Sequence, residues 1–347
     1  MTVLTEVLPS AMILRRVGYR RRLIVVGLLV LVVVASVISI GIGAVQIDLS
    51  RILRALTGTG TIADHRIVIG FRLPRILVGL CVGAGLAVSG VILQAVTRNP
   101  LASPAVIGVN GGAGLAALLV LSFSSSAAAI WQVPAAAFAG AAVAGGTTYL
   151  LSRRDGIVNP GRLALIGVAF GGLSLALIQL IIVTTSFTGD VQAALRWLTG
   201  SLWGRTWIHV EQVAPWTLVL IPLAWFLADQ LNLLGLGDDV PRALGSRLEA
   251  LKLGLLAIAV ALAGSAVAVG GTIAFVGLLA PHLCRRLVGP GHRLLIPASA
   301  CVGALLVVVA DALGRAILPP AEIPVGLFTA VLGAPYFLLQ LRKGLHA

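Results

Sequence analysis

Charge is scarce in this chain of 347 residues. Only 11% of the residues are charged, whereas 59% are hydrophobic. A soluble domain of this size alternates polar and apolar positions, because each surface helix must face water on one side. Here apolar runs of about 20 residues, long enough to cross a bilayer, recur from end to end. The composition therefore excludes a soluble globular protein and predicts a polytopic membrane protein with no soluble domain of appreciable size.

Cysteine and metal-binding patterns are also lacking. Cys81, Cys284 and Cys301 lie in or beside apolar segments, with neither a disulfide framework nor zinc-ligand spacing. None of the five histidines belongs to an H-E-x-x-H pair, and no apolar run presents two carboxylates at helical spacing. We therefore expect no catalytic residues and no metal site in this chain.

Lysine is nearly absent, which bears on the energy source. A Walker loop needs Gly-Lys-Ser/Thr, but Lys252 follows Leu251 and Lys343 follows Arg342. If ATP and Mg²⁺ are used, another chain must bind them. An ion-coupled transporter would bury acidic residues, and the only deep candidate is Asp311. Arg315 lies four residues later on the same helix face, which predicts a structural ion pair.

The net charge of +13 reports orientation rather than nucleic-acid binding, because Lys and Arg collect in cytoplasmic loops. Ten spans are predicted, which puts both termini on the cytoplasmic side and 17 of the 25 basic residues inside. The first span is too long for a signal peptide and is read as retained. Residues 1–22 form a cytoplasmic segment and 23–347 one transmembrane domain, with spans at 23–45, 74–96, 105–121, 129–151, 163–185, 209–229, 251–269, 273–284, 294–314 and 323–341.

Two predicted spans are interrupted. The run at 105–121 opens with Asn110 among glycines, and the run at 273–284 is short and follows Gly270-Gly271. Broken helices at membrane depth must be buried in protein or line a cavity, and they often mark transport routes. The glycines of 79–90 have small-xxx-small spacing, which favours close helix packing. In "RNPLASP" (98–104) the prolines predict a structural turn.

Several motifs, in order, resemble the FecCD family of permeases from binding-protein-dependent ABC importers. They are "RLPRILVGLCVGAGLAVSGVILQAVTRNPLASPAVIGVNGGAG" (72–114), "LGLGDDVPRALG" (234–245), "GGTIAFVGLLAPHLCRRLVGPGHRLLIP" (270–297), "ADALGR" (310–315) and "EIPVGLFTAVLGAPYF" (322–337). The resemblance implies an all-α type II ABC importer permease fold of about ten transmembrane helices in the bacterial cytoplasmic membrane.

The resemblance also implies partners and cargo. The partners are a second permease, more often a paralogue than a copy, two ATPase subunits and an extracytoplasmic binding protein. The cargo is above all a ferric siderophore, with "RRDGIVNPGRLALIGVAF" (153–170) similar to enterobactin-type permeases. Haem and cobalamin permeases of the same family are alternatives. An ATP-independent secondary transporter or channel is the alternative from another class.

Site residues follow from the same motifs. Residues 231–250 form a cytoplasmic knob for the ATPase, rather than an ordinary solvated loop, with coupling residues Gly235, Gly237, Asp238, Asp239, Ala243, Leu244 and Gly245. Arg72, Arg75 and Arg315, at the outer ends of their spans, receive acidic residues of the binding protein. Snorkelling to headgroups and the Asp311 pair are the competing interpretations. The route is expected among spans 74–96, 163–185 and 273–284, with Asn110, Thr184, Thr185 and Ser186 beside it.

Overall fold

The computed structural model describes residues 7–123, 129–154, 157–184, 191–235, 237, 248–319 and 321–344. A π-helical stretch, Arg66–Arg72, joins α3 to α4, and strands β1 (Arg153–Arg154) and β2 (Ile157–Val158) form one short antiparallel ladder. The helices are α1 (Val7–Gly41), α2 (Leu49–Leu56), α3 (Ile62–His65), α4 (Leu73–Thr97), α5 (Val109–Phe123), α6 (Ala129–Ser152), α7 (Pro160–Thr184), α8 (Val191–Leu198), α9 (Trp207–Phe226), α10 (Ala228–Leu234), α11 (Leu248–Gly270), α12 (Val276–Val288), α13 (His292–Ile317) and α14 (Val325–Gly344).

The predicted spans correspond to α1, α4 to α7, α9 and α11 to α14. Among the described residues, six helices are long and apolar enough to cross a bilayer alone, and α9 with α10 forms a further pair bent by 58°. Helices α5 and α14 are shorter apolar helices, and α12 has 13 residues. The nearly all-helical, multi-span architecture predicted from the sequence is therefore confirmed.

Helix α4 is the centre of the bundle. It packs against α9, α11, α12 and α13, and 78% of its apolar window is buried. The close approach depends on glycine, since a Cβ on Gly83 would overlap the carbonyl of Gly303 on α13, and one on Gly90 would overlap that of Gly277. These contacts support the packing interpretation of the small residues in 79–90.

The bundle has two ends, defined here by their contacts. At the arginine end, α1 and α13 finish and the chain enters α4 and α14, as the contacts of Arg72, Arg75 and Arg315 show. At the α10 end, α4 finishes and α13 begins, both beside α10. Helix α1 therefore starts, and α14 finishes, at the α10 end.

Two broken spans appear where the glycines predicted them. Residues 271–275 are not helical, and both Gly271 (φ +73°) and Phe275 (φ +65°) are left-handed before α12 begins. A left-handed phenylalanine is rare, because its Cβ crowds the backbone. Helix α5 begins at Val109 rather than at 105, because Gly108 is also left-handed (φ +83°) and ends the preceding turn.

The chain is already helical before residue 74, where the predicted span 74–96 starts. Pro74 lies in the first turn of α4, but the π-helical stretch Arg66–Arg72 leads directly into it. Proline has no amide hydrogen to donate and its ring crowds the carbonyl of residue i−4, so it disturbs the hydrogen-bond ladder of a continuing helix. Arg72 and Arg75 thus lie ten and thirteen residues beyond the start of the continuous helical stretch Ile62–Thr97.

Candidate functional site

A cluster of charged side chains joins four segments at the arginine end. Arg75 on α4 donates from Nε and one terminal nitrogen to the Asp311 carboxylate on α13, at 2.8–3.1 Å. Its other terminal nitrogen donates to Oε1 of Glu322, just before α14, at 3.1 Å. Arg315 donates to the second Asp311 oxygen at 3.0 Å. One buried carboxylate therefore holds two guanidinium groups.

The remaining donors of the cluster bind the end of α1. Arg315 donates to the carbonyl and hydroxyl of Ser39, at 3.0 and 2.7 Å, and to the carbonyl of Ile42. Arg72 donates to the carbonyls of Ile40 and Val45. These carbonyls lie in or just past the last turn of α1, where helix carbonyls lack intrahelical partners. The arginines therefore satisfy the end of α1 and fix the 41–48 loop over α4.

Burial distinguishes these arginines from a free docking surface. Arg72 is 8% exposed and Arg315 5%, and Asp311 is 3% exposed. The predicted Arg315–Asp311 pair is confirmed, and snorkelling does not describe side chains whose guanidinium groups are held by protein atoms. The docking role of Arg72, Arg75 and Arg315 stays a prediction.

The cluster carries an excess of positive charge. Arg72, Arg75 and Arg315 face two carboxylates, and Arg205, in the turn before α9, lies near Arg75. Burial, with the charge of Arg75, lowers the pKa of Arg205 to about 10, so its guanidinium stays protonated at neutral pH. Beside Arg315, a cavity of about 570 Å³ opens between the 41–48 loop and the end of α13.

At the α10 end, hydrogen bonds fix the helix that leads into the predicted coupling segment. Arg98 ends α4 in a left-handed conformation and donates from Nε to the carbonyl of Leu234, at 3.0 Å. The Asn232 side-chain oxygen accepts from the backbone N–H of His292 at 3.0 Å and from its Nδ1 at 2.7 Å. Asp229 pairs with Arg293 at 2.6 Å. Helix α10 is thereby attached to the end of α4 and the start of α13.

Two of the predicted coupling residues are described. Gly235 follows α10, and Gly237 has φ +110°, a conformation that side chains with a Cβ rarely adopt. Glycine is therefore required at Gly237 by backbone geometry. The other coupling residues lie outside the described residues: Asp238, Asp239, Ala243, Leu244 and Gly245.

The predicted route residues are placed only in part. Asn110 lies in the first turn of α5, and its buried side-chain oxygen has no hydrogen-bond partner among the described residues. Thr184, the last residue of α7, donates its hydroxyl to the carbonyl of Leu180 at 2.7 Å. Thr185 and Ser186 lie outside the described residues.

The spans that were expected to line the transport route differ in how much of their surface is buried. Helix α4 is 78% buried among its neighbours, whereas only 17% of the α7 window is buried, and the place of both helices beside the route stays a prediction. The buried residues of α7 form a single stripe at helical spacing: Leu163, Gly167, Ser174 and Ile178. The rest of α7 is available to lipid, a partner or a route.

Sequence reasoning missed Glu322, Ser39 and Asn232. Glu322 opens the last of the quoted motifs, but 247 residues separate it from Arg75, so helical spacing could not connect them. Ser39 contributes a hydroxyl from inside an apolar run, which gives no signal of its own. The Asn232–His292 contact joins residues 60 apart and needs the packed bundle to be visible.

The chain is similar to known proteins over most of its length. The model of the FecCD transport family matches residues 30–343. The chain is 49% identical over 319 residues to the Fe(3+)-citrate import system permease protein YfmE of Bacillus subtilis, covering 91% of this chain and 93% of that one. It is 41% identical over 319 residues to the iron(3+)-hydroxamate import system permease protein FhuG of the same organism, covering 90% and 94%.

A solved structure agrees with the fold. The chain matches a metal-chelate type ABC transporter in an inward-facing conformation with a TM-score of 0.80 and 32% identity, covering 93% of this chain and 99% of that one. A further relative, the Fe(3+) dicitrate transport system permease protein FecD of Escherichia coli, is 43% identical over 279 residues, covering 80% and 86%.

Proposed function

The chain belongs to the FecCD transport family, and from this premise we propose that it is the permease subunit of an ATP-driven importer for ferric siderophores. The observation that carries the proposal is that the similar relatives are named as import permeases for ferric citrate and ferric hydroxamate. The iron is cargo held by its chelator, so the permease needs a passage rather than a metal site. Among the described residues no cluster of metal-ligating side chains occurs.

Uptake of labelled iron tests this proposal. The chain, expressed with its partner proteins in a strain lacking its own chelate permeases, should import iron from one of three chelators: citrate, a hydroxamate or a catecholate. The catecholate arm tests the enterobactin-type resemblance. Uptake of haem or cobalamin in place of every iron chelate would contradict the proposed cargo.

The proposed energy source is a pair of ATPase subunits that bind ATP and Mg²⁺ outside this chain. A second permease, preferably a paralogue, completes the pathway, and both termini face the cytoplasm. Support comes from the α10 end, where Arg98, Asn232 and Asp229 hold the base of the 236–247 segment. Uptake that persists after loss of the ATPase would instead favour a secondary transporter or channel.

Coupling is tested at the described glycine of this segment. Gly237→Val should strain the backbone, because valine disfavours positive φ, and should lower transport per ATP hydrolysed several-fold. Gly58→Val is the matched control, because Gly58 also has positive φ (+76°), has open space around its Cβ and lies outside the coupling segment. Both variants should reach the membrane in normal amounts. Equal coupling in the two variants would contradict the proposed role of the segment.

Docking of an extracytoplasmic binding protein is proposed at the arginine end. The excess positive charge there would attract an acidic surface and would mainly raise the association rate. Arg72→Gln removes one positive charge from this end. Replacing Arg75 by glutamate would instead place a second carboxylate beside Asp311. We expect the association rate to fall several-fold at low salt and little at high salt. An unchanged rate at low salt would contradict docking at this end.

A further inference from the structure

Glu211 is an ionisable side chain without a protein partner. It lies one turn into α9, is exposed, and makes no hydrogen bond or ion pair with any residue in the described part of the chain. Its neighbours in the cluster at the arginine end all have partners. Glu211 lies near the start of α9 at the arginine end, so its carboxylate is available to a ligand at that end of the bundle.

The carboxylate lines a pocket with aromatic walls. The pocket has a volume of about 410 Å³ and lies between α6, α9 and the end of α11. Trp131, Phe138 and Trp216 form its walls, and the rings of Phe138 and Trp216 are 4.8 Å apart at an angle of 31°. Faces of such rings attract cations.

A second acceptor lies in the same wall. The side-chain nitrogen of Gln212 donates to the carbonyl of Ile130 at 3.0 Å, whereas its oxygen is buried without a partner in the described structure. None of the described residues that line the pocket is basic. A carboxylate, a free amide oxygen and three aromatic rings together fit a ligand that is positively charged and donates hydrogen bonds, as an ammonium group does.

The surroundings of the pocket fit a lipid rather than a soluble cation. Trp131, Trp207 and Trp216 are each at least 41% exposed at this end of the bundle, as in the aromatic belt at headgroup level. Phe138 also lines a second cavity of about 240 Å³, an apolar groove between α6 and α11. From Phe138 to Gly146 the groove runs about 12 Å along α6, close to the depth of one leaflet, about 15 Å.

We propose that the seam between α6, α9 and α11 binds one phospholipid with an ethanolamine headgroup. Its ammonium group contacts Glu211, the Gln212 oxygen and the aromatic walls. One acyl chain follows the groove from Phe138 toward Tyr149. The headgroup pocket supplies the selectivity, because an anionic headgroup would meet the Glu211 carboxylate without a compensating cation.

Native mass spectrometry of the purified full-length permease tests the site. Phosphatidylethanolamine, phosphatidylglycerol and phosphatidylcholine with identical acyl chains are titrated separately. We expect tightest retention of one phosphatidylethanolamine. Glu211→Gln should weaken its binding about tenfold or more, the effect of losing a charge-assisted hydrogen bond, and should not weaken that of phosphatidylglycerol, whose repulsion by the carboxylate is removed. Asp48→Asn, an exposed carboxylate at the same end, is the matched control and should change nothing.

A separate variant, Gly146→Leu, tests the apolar groove between α6 and α11. A Cβ on Gly146 would meet no atom within 4 Å, so Gly146→Leu should fold normally while its side chain fills the groove. We expect it to weaken phosphatidylethanolamine binding with Glu211 intact. Equal affinity for the three lipids, or unchanged binding in Glu211→Gln, would overturn the proposal. Displacement of the lipid by free phosphoethanolamine at lipid-like concentration would also overturn the proposal, because it would indicate a soluble ligand. Loss of the lipid in the assembled importer would overturn it as well, because it would indicate a protein interface.

Discussion

Asp311 is the residue on which the arginine cluster depends. It accepts hydrogen bonds from Arg75 and Arg315 and is 3% exposed, so its loss leaves Arg315 without a carboxylate partner and Arg75 with Glu322 alone. We expect Asp311→Asn to destabilise the protein by about 3–5 kcal/mol, the usual effect of breaking a buried pair. Thermal unfolding of the detergent-solubilised protein measures the loss.

The control for that variant is a second Arg–Asp pair in the same molecule. Asp229 and Arg293 are 2.6 Å apart, but their side chains are 58% and 62% exposed. Exposed pairs are screened by solvent and contribute little, so Asp229→Asn should barely change the unfolding temperature. Similar shifts in the two variants would contradict the central position of Asp311.

The sequence predicted part of this cluster. Asp311 and Arg315 are four residues apart on one helix, and that spacing alone indicated their pairing. The contact of Arg75 with Asp311 spans 236 residues and depends on how α4 and α13 pack. The same limit applies to Glu211, whose isolation becomes visible only when its neighbours are known.

Among the elements, the crossing of α4 and α13 gives a second prediction. Gly83 and Gly303 lie backbone to backbone, and a Cβ on Gly303 would overlap the Gly83 carbonyl oxygen and crowd Ala87. Gly303→Ala should therefore separate the helices and destabilise the protein by about 1–3 kcal/mol.

The matched variant is Gly254→Ala on α11. Its Cβ would meet no atom within 4 Å, and alanine favours a helix by up to about 1 kcal/mol over glycine. Its unfolding temperature should stay the same or rise. If Gly303→Ala behaves in the same way, the two helices tolerate greater separation and the proposed glycine contact does not control their packing.

Long apolar helices were predictable and short ones were not. Every predicted span overlaps a helix, because hydrophobicity sustained over about 20 residues is a strong signal. Helices α2, α3, α8 and α10 have four to eight residues; the first three lie outside those runs, and α10 overlaps only the last two residues of the run 209–229. Their positions follow from packing against the bundle ends, which a window of composition does not report.

At the scale of the whole molecule, thiol labelling along α7 tests whether this helix lines the transport pathway. Cysteines at Ser174 and Ile178, on the buried stripe, should resist water-soluble thiol reagents in the assembled importer. Cysteines at exposed positions such as Leu173 and Leu180 should divide into reactive and lipid-protected sites, with the reactive ones on one face. Labelling is read against the background of the native cysteines. Uniform protection along α7 would exclude it from the route.

The separation of the arginine cluster along the chain has a consequence for synthesis. Arg75 leaves the ribosome 236 residues before Asp311, and at about 5–20 residues per second this interval is about 12 to 47 s. Throughout it, the positive charges at the start of α4 have no carboxylate from α13 to neutralise them, so the nascent helix must keep them at the membrane surface. A ribosome stalled before codon 311 should therefore leave the start of α4 open to protease, and translation past α13 should close it.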